Sequence, residues 1–142
     1  MTIIAWDGKT LAADKRLTNC GMASPVTKIF RCEESLIGIS GEFSLAQELI
    51  NWYKNGCEID KFPAFQRDED DYVGMLVINK KGVFKYGRTP FPMILESQFF
   101  AIGSGRDYAM AAMHLGKTAV EAVEIASIFD CGCGNGVDSL TL

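Results

Sequence analysis

The residue with the most chemistry to offer is Thr2, in the opening run Met1-Thr2-Ile3-Ile4-Ala5-Trp6. Threonine is small enough for a preceding initiator methionine to be clipped. Thr2 would then carry a hydroxyl and a free α-amine on one residue, pairing a nucleophile with a base and needing no histidine. A reference α-amine titrates at about 7.7–8.0 and a lysine ammonium near 10.4. At pH 7 roughly a tenth of such amines, but well under a thousandth of lysines, is free to accept a proton. That chemistry suits acyl transfer from an amide bond. General base catalysis supplies on the order of 10²–10⁴-fold, and an oxyanion donor adds roughly 3–4 kcal/mol. The Met-Thr dipeptide is common, so the weight falls on the rest of the chain.

Other chemistries are thin. His114 is the single histidine and sits in a helical run, Tyr108–Leu115. A two-histidine metal site or a zincin helix is therefore impossible, and any serine triad would have to use this residue. Cys20, Cys32, Cys57, Cys131 and Cys133 are odd in number and lack CxxC spacing, as expected of reduced thiols. Gly103-Ser104-Gly105 follows an apolar strand, but Tyr108 stands where a dinucleotide loop wants glycine. The formal net charge of −4 argues against nucleic acid as the main partner. No apolar run is long enough to span a bilayer, and no basic segment precedes an apolar one as in a signal peptide. The expectation is a cytoplasmic protein with no membrane partner, no metal and no cofactor.

Thr2 is useful only if something holds it. Ile3–Trp6 and Thr10–Ala13 flank Asp7-Gly8, a hairpin signal that would anchor the N-terminus in a sheet. Asp14–Thr18 continues away from the second strand. Val26–Phe30 and Leu36–Ser40 read as a second pair about a turn at Glu33–Ser35, ended by Gly41. Phe43–Lys54 has helical spacing, with Ser44 and Gln47 as a candidate capping box. Asn55–Asp71 is irregular, and its run Asp68-Glu69-Asp70-Asp71 reads as a solvated loop or helix tip. Tyr72–Asn79 and Val83–Tyr86 form a third hairpin, and Phe99–Ile102 a short strand. Helices over Arg106–Leu115 and Ala119–Phe129 follow, the second opened by a Thr118/Glu121 capping box. Val137–Leu142 closes the chain as a strand. At 142 residues this is most simply one domain, residues 1–142, of α+β class. Two antiparallel sheets face to face with helices outside would bury these faces.

Six pieces in order carry a resemblance: Thr2-Ile-Ile-Ala5, Leu11-Ala-Ala-Asp14-Lys-Arg-Leu-Thr18, Thr27-Lys28-Ile-Phe30, Gly38-Ile-Ser-Gly41-Glu-Phe-Ser44, Ala101-Ile-Gly-Ser104-Gly-Arg-Asp-Tyr-Ala109 and Asp130-Cys-Gly-Cys133-Gly134. Together they resemble the proteasome β-subunit and HslV-like family of N-terminal threonine hydrolases. The resemblance implies a four-layer αββα sandwich and a threonine endopeptidase. It makes Thr2 the nucleophile, its amine the base, and Asp14 and Lys28 a buried charged pair beside it. Gly41 would lend its N–H to an oxyanion hole, while Ser104, Asp130 and Cys133 would support the amine. Cys133 stands where the family usually has serine, and a thiol is the weaker hydrogen-bond partner. Thr18 and Gly41 would meet an extended substrate, and Ile39 and Phe43 would line the pocket for the residue before the cut. Implied partners are a peptide or unfolded protein, further copies in a homo-oligomeric ring, and an ATP-dependent unfoldase. The Asn55–Asp71 stretch is short for the family's full helical pair. A small-amide hydrolase using the same site, and a catalytically silent scaffold, are the competing readings.

Overall fold

The structure, a computed structural model, describes residues 1–64 and 72–142. The acidic run Asp68–Asp71 lies outside the described residues. In chain order the elements are β1 (Ile4–Trp6), β2 (Thr10–Asp14), β3 (Arg16–Asn19), β4 (Met22–Pro25), β5 (Ile29–Cys32), β6 (Ser35–Gly41) and α1 (Phe43–Lys54). They continue with β7 (Val73–Asn79), β8 (Gly82–Tyr86), β9 (Met93–Leu95), β10 (Phe100–Ile102), α2 (Arg106–His114), α3 (Ala119–Phe129) and β11 (Val137–Thr141). A short 3₁₀ turn spans Ile59–Lys61. All the strand pairs are antiparallel: one sheet has the order β10-β1-β2-β11, a second β5-β6-β7-β8-β9, and β3 pairs with β4 alone. None of the described helices is long and apolar enough to cross a membrane.

The alternation of side chains along a strand explains the packing. Ile3, Ala5 and Ala12 pack with Ala109, Ala122 and Ala126 of α2 and α3, where small residues let helix and sheet approach closely. Ile4, Trp6, Leu11 and Ala13 point the other way and meet Ile29, Leu36, Leu76 and Ile78 of the second sheet. That sheet's outer residues, Ile37, Ile39, Met75 and Val77, pack on Ala46, Leu49 and Ile50 of α1. Each fully buried aliphatic side chain contributes about 1.5–3 kcal/mol. Ile3 and Ile4 are thus clamped from opposite sides, which fixes the residue just before them.

Several local expectations need correction. The α1 cap is Glu42, whose carboxylate accepts the Leu45 N–H at 2.8 Å. Ser44 donates to that carboxylate and forms no box with Gln47, because Glu42 is already the last extended residue. Arg16–Asn19 leaves β2, as expected, but is itself a strand of a separate two-stranded sheet. It turns back at Cys20-Gly21, both at positive φ, and pairs with Met22–Pro25. Strand β5 begins at Ile29, three residues later than Val26. Strand β9 had no apolar alternation to announce it, since Met93 and Ile94 are both exposed at the sheet edge.

Candidate active site

Thr2 is 6% exposed, and polar groups converge on it from two sides. On the first side stands Asp14, fully buried at the end of β2. Its Oδ1 accepts the Ile3 N–H at 3.0 Å and Lys28 Nζ at 2.8 Å. Its Oδ2 accepts the N–H groups of Arg16 at 3.1 Å and Gly134 at 3.0 Å. The Asp14 N–H returns to the Ile3 carbonyl at 3.2 Å, locking β2 to the residue beside Thr2. Lys28 is 4% exposed and makes a second bond, 3.2 Å, to the Met1 carbonyl. Taking either charge out of water alone costs several kcal/mol, which their pairing and the peptide donors offset. A cation and its counter-ion are thereby held against the Met1–Ile3 backbone.

On the second side the Thr2 N–H donates to Ser104 Oγ at 3.1 Å, and Ser104 Oγ lies 3.4 Å from the Thr2 carbonyl. Ser104 Oγ is 3.8 Å from Cys133 Sγ, which donates to Asp130 Oδ2 at 3.4 Å. The Gly132 N–H donates to Asp130 Oδ1 at 2.9 Å. Burial raises the Cys133 thiol, aided by the negative charge of Asp14, to about 12. The sulfur therefore keeps its proton at neutral pH and acts as a donor. Burial also pushes the Asp130 carboxyl up, but hydrogen bonds from Ser104, Gly132 and Cys133 and the N-terminal charge outweigh it. Asp130 is held below the ordinary carboxylate range.

Two glycines bracket Thr2. Gly103 has φ +100°, and a Cβ there would run into the Thr2 carbonyl. Gly41 has φ +96°, and a Cβ there would strike the Tyr72 carbonyl. Both positions combine a left-handed backbone with a close approach, so only glycine fits.

Clefts open on either side of Thr2, and Met1, Thr2 and Gly41 line both. The first is walled by Arg16, Leu17, Val26, Ile39, Phe43 and Ala46, with Lys28 and Ser40 also in its lining. The second, about 700 Å³, holds Glu42, Tyr72, Ser104 and Arg106. Met1 is 66% exposed, and its side chain lies against Gly132.

The structure thus brings together Thr2, Asp14, Lys28, Ser104, Asp130 and Cys133, with Gly41, Ile39 and Phe43 at the clefts. Thr18 is exposed on β3 opposite Ala23 and lines neither cleft; Leu17 and Val26 do so instead. His114 is exposed at the end of α2. Sequence reasoning missed the Arg16 and Gly134 N–H groups on Asp14, because a backbone donor leaves no mark in residue type. It also missed Tyr72, Arg106 and Glu42 in the second cleft, which come from three distant places in the chain.

In its mixed α/β fold with antiparallel sheets, the chain is similar to solved HslV-like, proteasome-type structures. Thiobacillus denitrificans BPH in complex with epoxomicin matches with a TM-score of 0.75 at 20% identity, covering 100% of this chain and 98% of that one. A further structure of Thiobacillus denitrificans BPH gives 0.74 at 22% identity, covering 99% and 96%. Eukaryotic HslV from Trypanosoma brucei gives 0.70 at 19% identity, covering 99% and 98%. These likenesses establish a shared fold. No protein-family model and no curated protein matches the chain.

Proposed function

We propose that the chain is a single proteasome-like domain and a threonine-type endopeptidase, in which Thr2 becomes the N-terminal residue on loss of Met1. The three packed cores support reading its layers as an αββα sandwich, α1 on one outside and α2 with α3 on the other. The observation that carries the reading is the Asp14–Lys28 pair, 2.8 Å apart and buried against the backbone on either side of Thr2, at Ile3 and Met1. A paired lysine sealed in a core has a structural cost, and Lys28 lines the same cleft as Thr2.

Loss of Met1 would turn the Thr2 amide nitrogen into an amine already seated on Ser104 Oγ. It would also release Lys28 Nζ from the Met1 carbonyl. The amine takes the hydroxyl proton as Thr2 Oγ attacks the scissile carbonyl, while Lys28 favours the developing alkoxide by its charge. Gly41 supplies the oxyanion donor. Collapse expels the leaving amine with that proton, and water then hydrolyses the ester, the same amine serving as base. Ile39 and Phe43 give the first cleft a taste for apolar side chains, and Gly41 offers a backbone group to an extended peptide. Further copies in a ring, an ATP-dependent unfoldase and a cytoplasmic setting belong to the same proposal.

A second reading, a silent scaffold, is favoured by the Lys28–Met1 contact, which ties the cation to a residue that catalysis needs removed. Intact mass separates the two: the peptidase requires a species lacking Met1. Hydrolysis of a fluorogenic peptide should then fall to background in Thr2→Ala. Equal rates for the two proteins would eliminate the catalytic assignment.

A further inference from the structure

Among the described residues, one buried side-chain oxygen lacks a hydrogen-bond partner: Ser40 Oγ. Ser40 is 3% exposed, so its hydroxyl bears its full desolvation penalty with nothing in the fold to offset it. Its direction follows from the strand. Leu36 belongs to the core between the sheets, and a Cβ on Gly38 would meet Ile4. Ile37 and Ile39 face α1 on the other side. Ser40 therefore points, like Leu36 and Gly38, toward the first sheet, two residues beyond the contact with Ile4. Thr2 lies two residues before Ile4, and both Thr2 and Ser40 line the first cleft. Gly74 leaves the space. The Ser40 and Tyr72 hydroxyls sit 3.0 and 3.1 Å from where its Cβ would stand. Alanine there would satisfy packing without stranding a hydroxyl.

We propose that Ser40 is a second donor to the oxygen of the scissile carbonyl, beside the Gly41 N–H. The inference rests on the peptidase reading. As Thr2 Oγ bonds to the carbonyl carbon, its proton passes to the Thr2 amine and the carbonyl π pair moves onto oxygen. The Ser40 O–H and Gly41 N–H then share that charge. When the C=O re-forms, the C–N bond breaks and the amine's proton departs with the leaving group. Ser40 gives and takes no proton. A donor fixed in place before the reaction needs no reorganisation when charge develops, which is where such groups act most strongly. Met1 lines the same cleft as Ser40, so its removal widens that cleft.

The test compares wild type, Ser40→Ala and Thr2→Ala in the full chain, with Met1 removal verified by mass. Peptide kinetics, inhibition by a peptide aldehyde that adds to Thr2, and thermal melting are measured together. Ser40→Ala should lower kcat by about ten- to a hundredfold with little change in KM. It should weaken the aldehyde, whose adduct carries the tetrahedral oxygen, by a similar factor. Its melting temperature should be unchanged or higher, because no bond in the fold is lost. A wild-type kcat in Ser40→Ala overturns the inference and leaves the peptidase reading standing. So does a loss that appears as lower melting temperature and raised KM with unaltered aldehyde affinity relative to substrate. Wild type and Thr2→Ala at equal rates would overturn both.

Discussion

On the Asp14–Lys28 side of Thr2 every polar contact spans 2.8–3.2 Å and every partner is nitrogen or oxygen. On the Ser104 side the route from Thr2 to Asp130 runs through contacts of 3.1, 3.8 and 3.4 Å and passes through a sulfur. The two sides face different demands. The first holds full charges away from water, where a misplaced or missing partner costs several kcal/mol. The second is a chain of dipoles ending at a half-buried carboxylate, with Ser104 open to solvent. There a longer bond loses a fraction of a modest interaction. Tolerance for cysteine at position 133 is therefore a property of the looser side. The same replacement among the partners of Asp14 would leave charge unsatisfied.

This contrast can be broken at its strongest point first. Lys28→Ala strips the cation from a carboxylate that stays buried, at a cost of about 3–5 kcal/mol. Thermal melting should drop by roughly 10 °C, and peptide hydrolysis by on the order of 10³-fold or more. A Lys28→Ala protein with full activity would contradict the role given to its charge. Gly103→Ala comes next. The new methyl must displace the Thr2 carbonyl and take a strained backbone, about 1–3 kcal/mol of stability, while misplacing the nucleophile costs about 100-fold in rate. Loss of rate without loss of Thr2-directed labelling would show that position, not access, was changed. A melting drop with an untouched rate would argue against Gly103 seating Thr2.

The smallest effect sharpens the other side. Cys133→Ser should shorten the Ser104–Asp130 route and change the rate only a few-fold. Its clearer signature is pH dependence. The native thiol titrates at about 12 against an ordinary 9.0, so the folded state holds a proton that the unfolded chain surrenders between them. Stability therefore falls as pH rises from about 9 toward 12. Serine has no ionisation there, so between about pH 8 and pH 10 the variant should lose less of its urea midpoint than the wild type, the remaining loss coming from the Cys57 thiol and Tyr86 phenol that burial raises in both proteins. Parallel losses in both proteins would remove Cys133 from that role.

Residue chemistry alone singled out Thr2; Asp14, Lys28, Ser104 and Asp130 were legible only through the family resemblance, and the structure brings all five together. The Glu42 cap was misassigned because Ser44 and Gln47 offered an equally valid local pattern; the extended backbone at Glu42 decides between them. The β3–β4 ribbon carried a signal in Cys20-Gly21, but alternation is hard to see where nearly all its residues are exposed. The two donors that complete Asp14 are peptide groups 2 and 120 residues away, and any amino acid but proline supplies one.

The amino-acid sequence alone determined that a hydroxyl and an amine could meet at one residue, that no histidine pair could compete, and that paired strands would bury the stretch behind Thr2. Those properties are local: they depend on residue type and on periods of 2 and 3.6. Only the tertiary structure decided that Ser104, Cys133 and Asp130 form one chain beneath the Thr2 nitrogen, and that a serine hydroxyl is left idle beside Gly41. Such matters turn on how β10, α3 and the loop before β11 close against β1 and β2. Those contacts join residues about a hundred positions apart, and the free energy that selects them comes from the packed cores and not from the segments themselves.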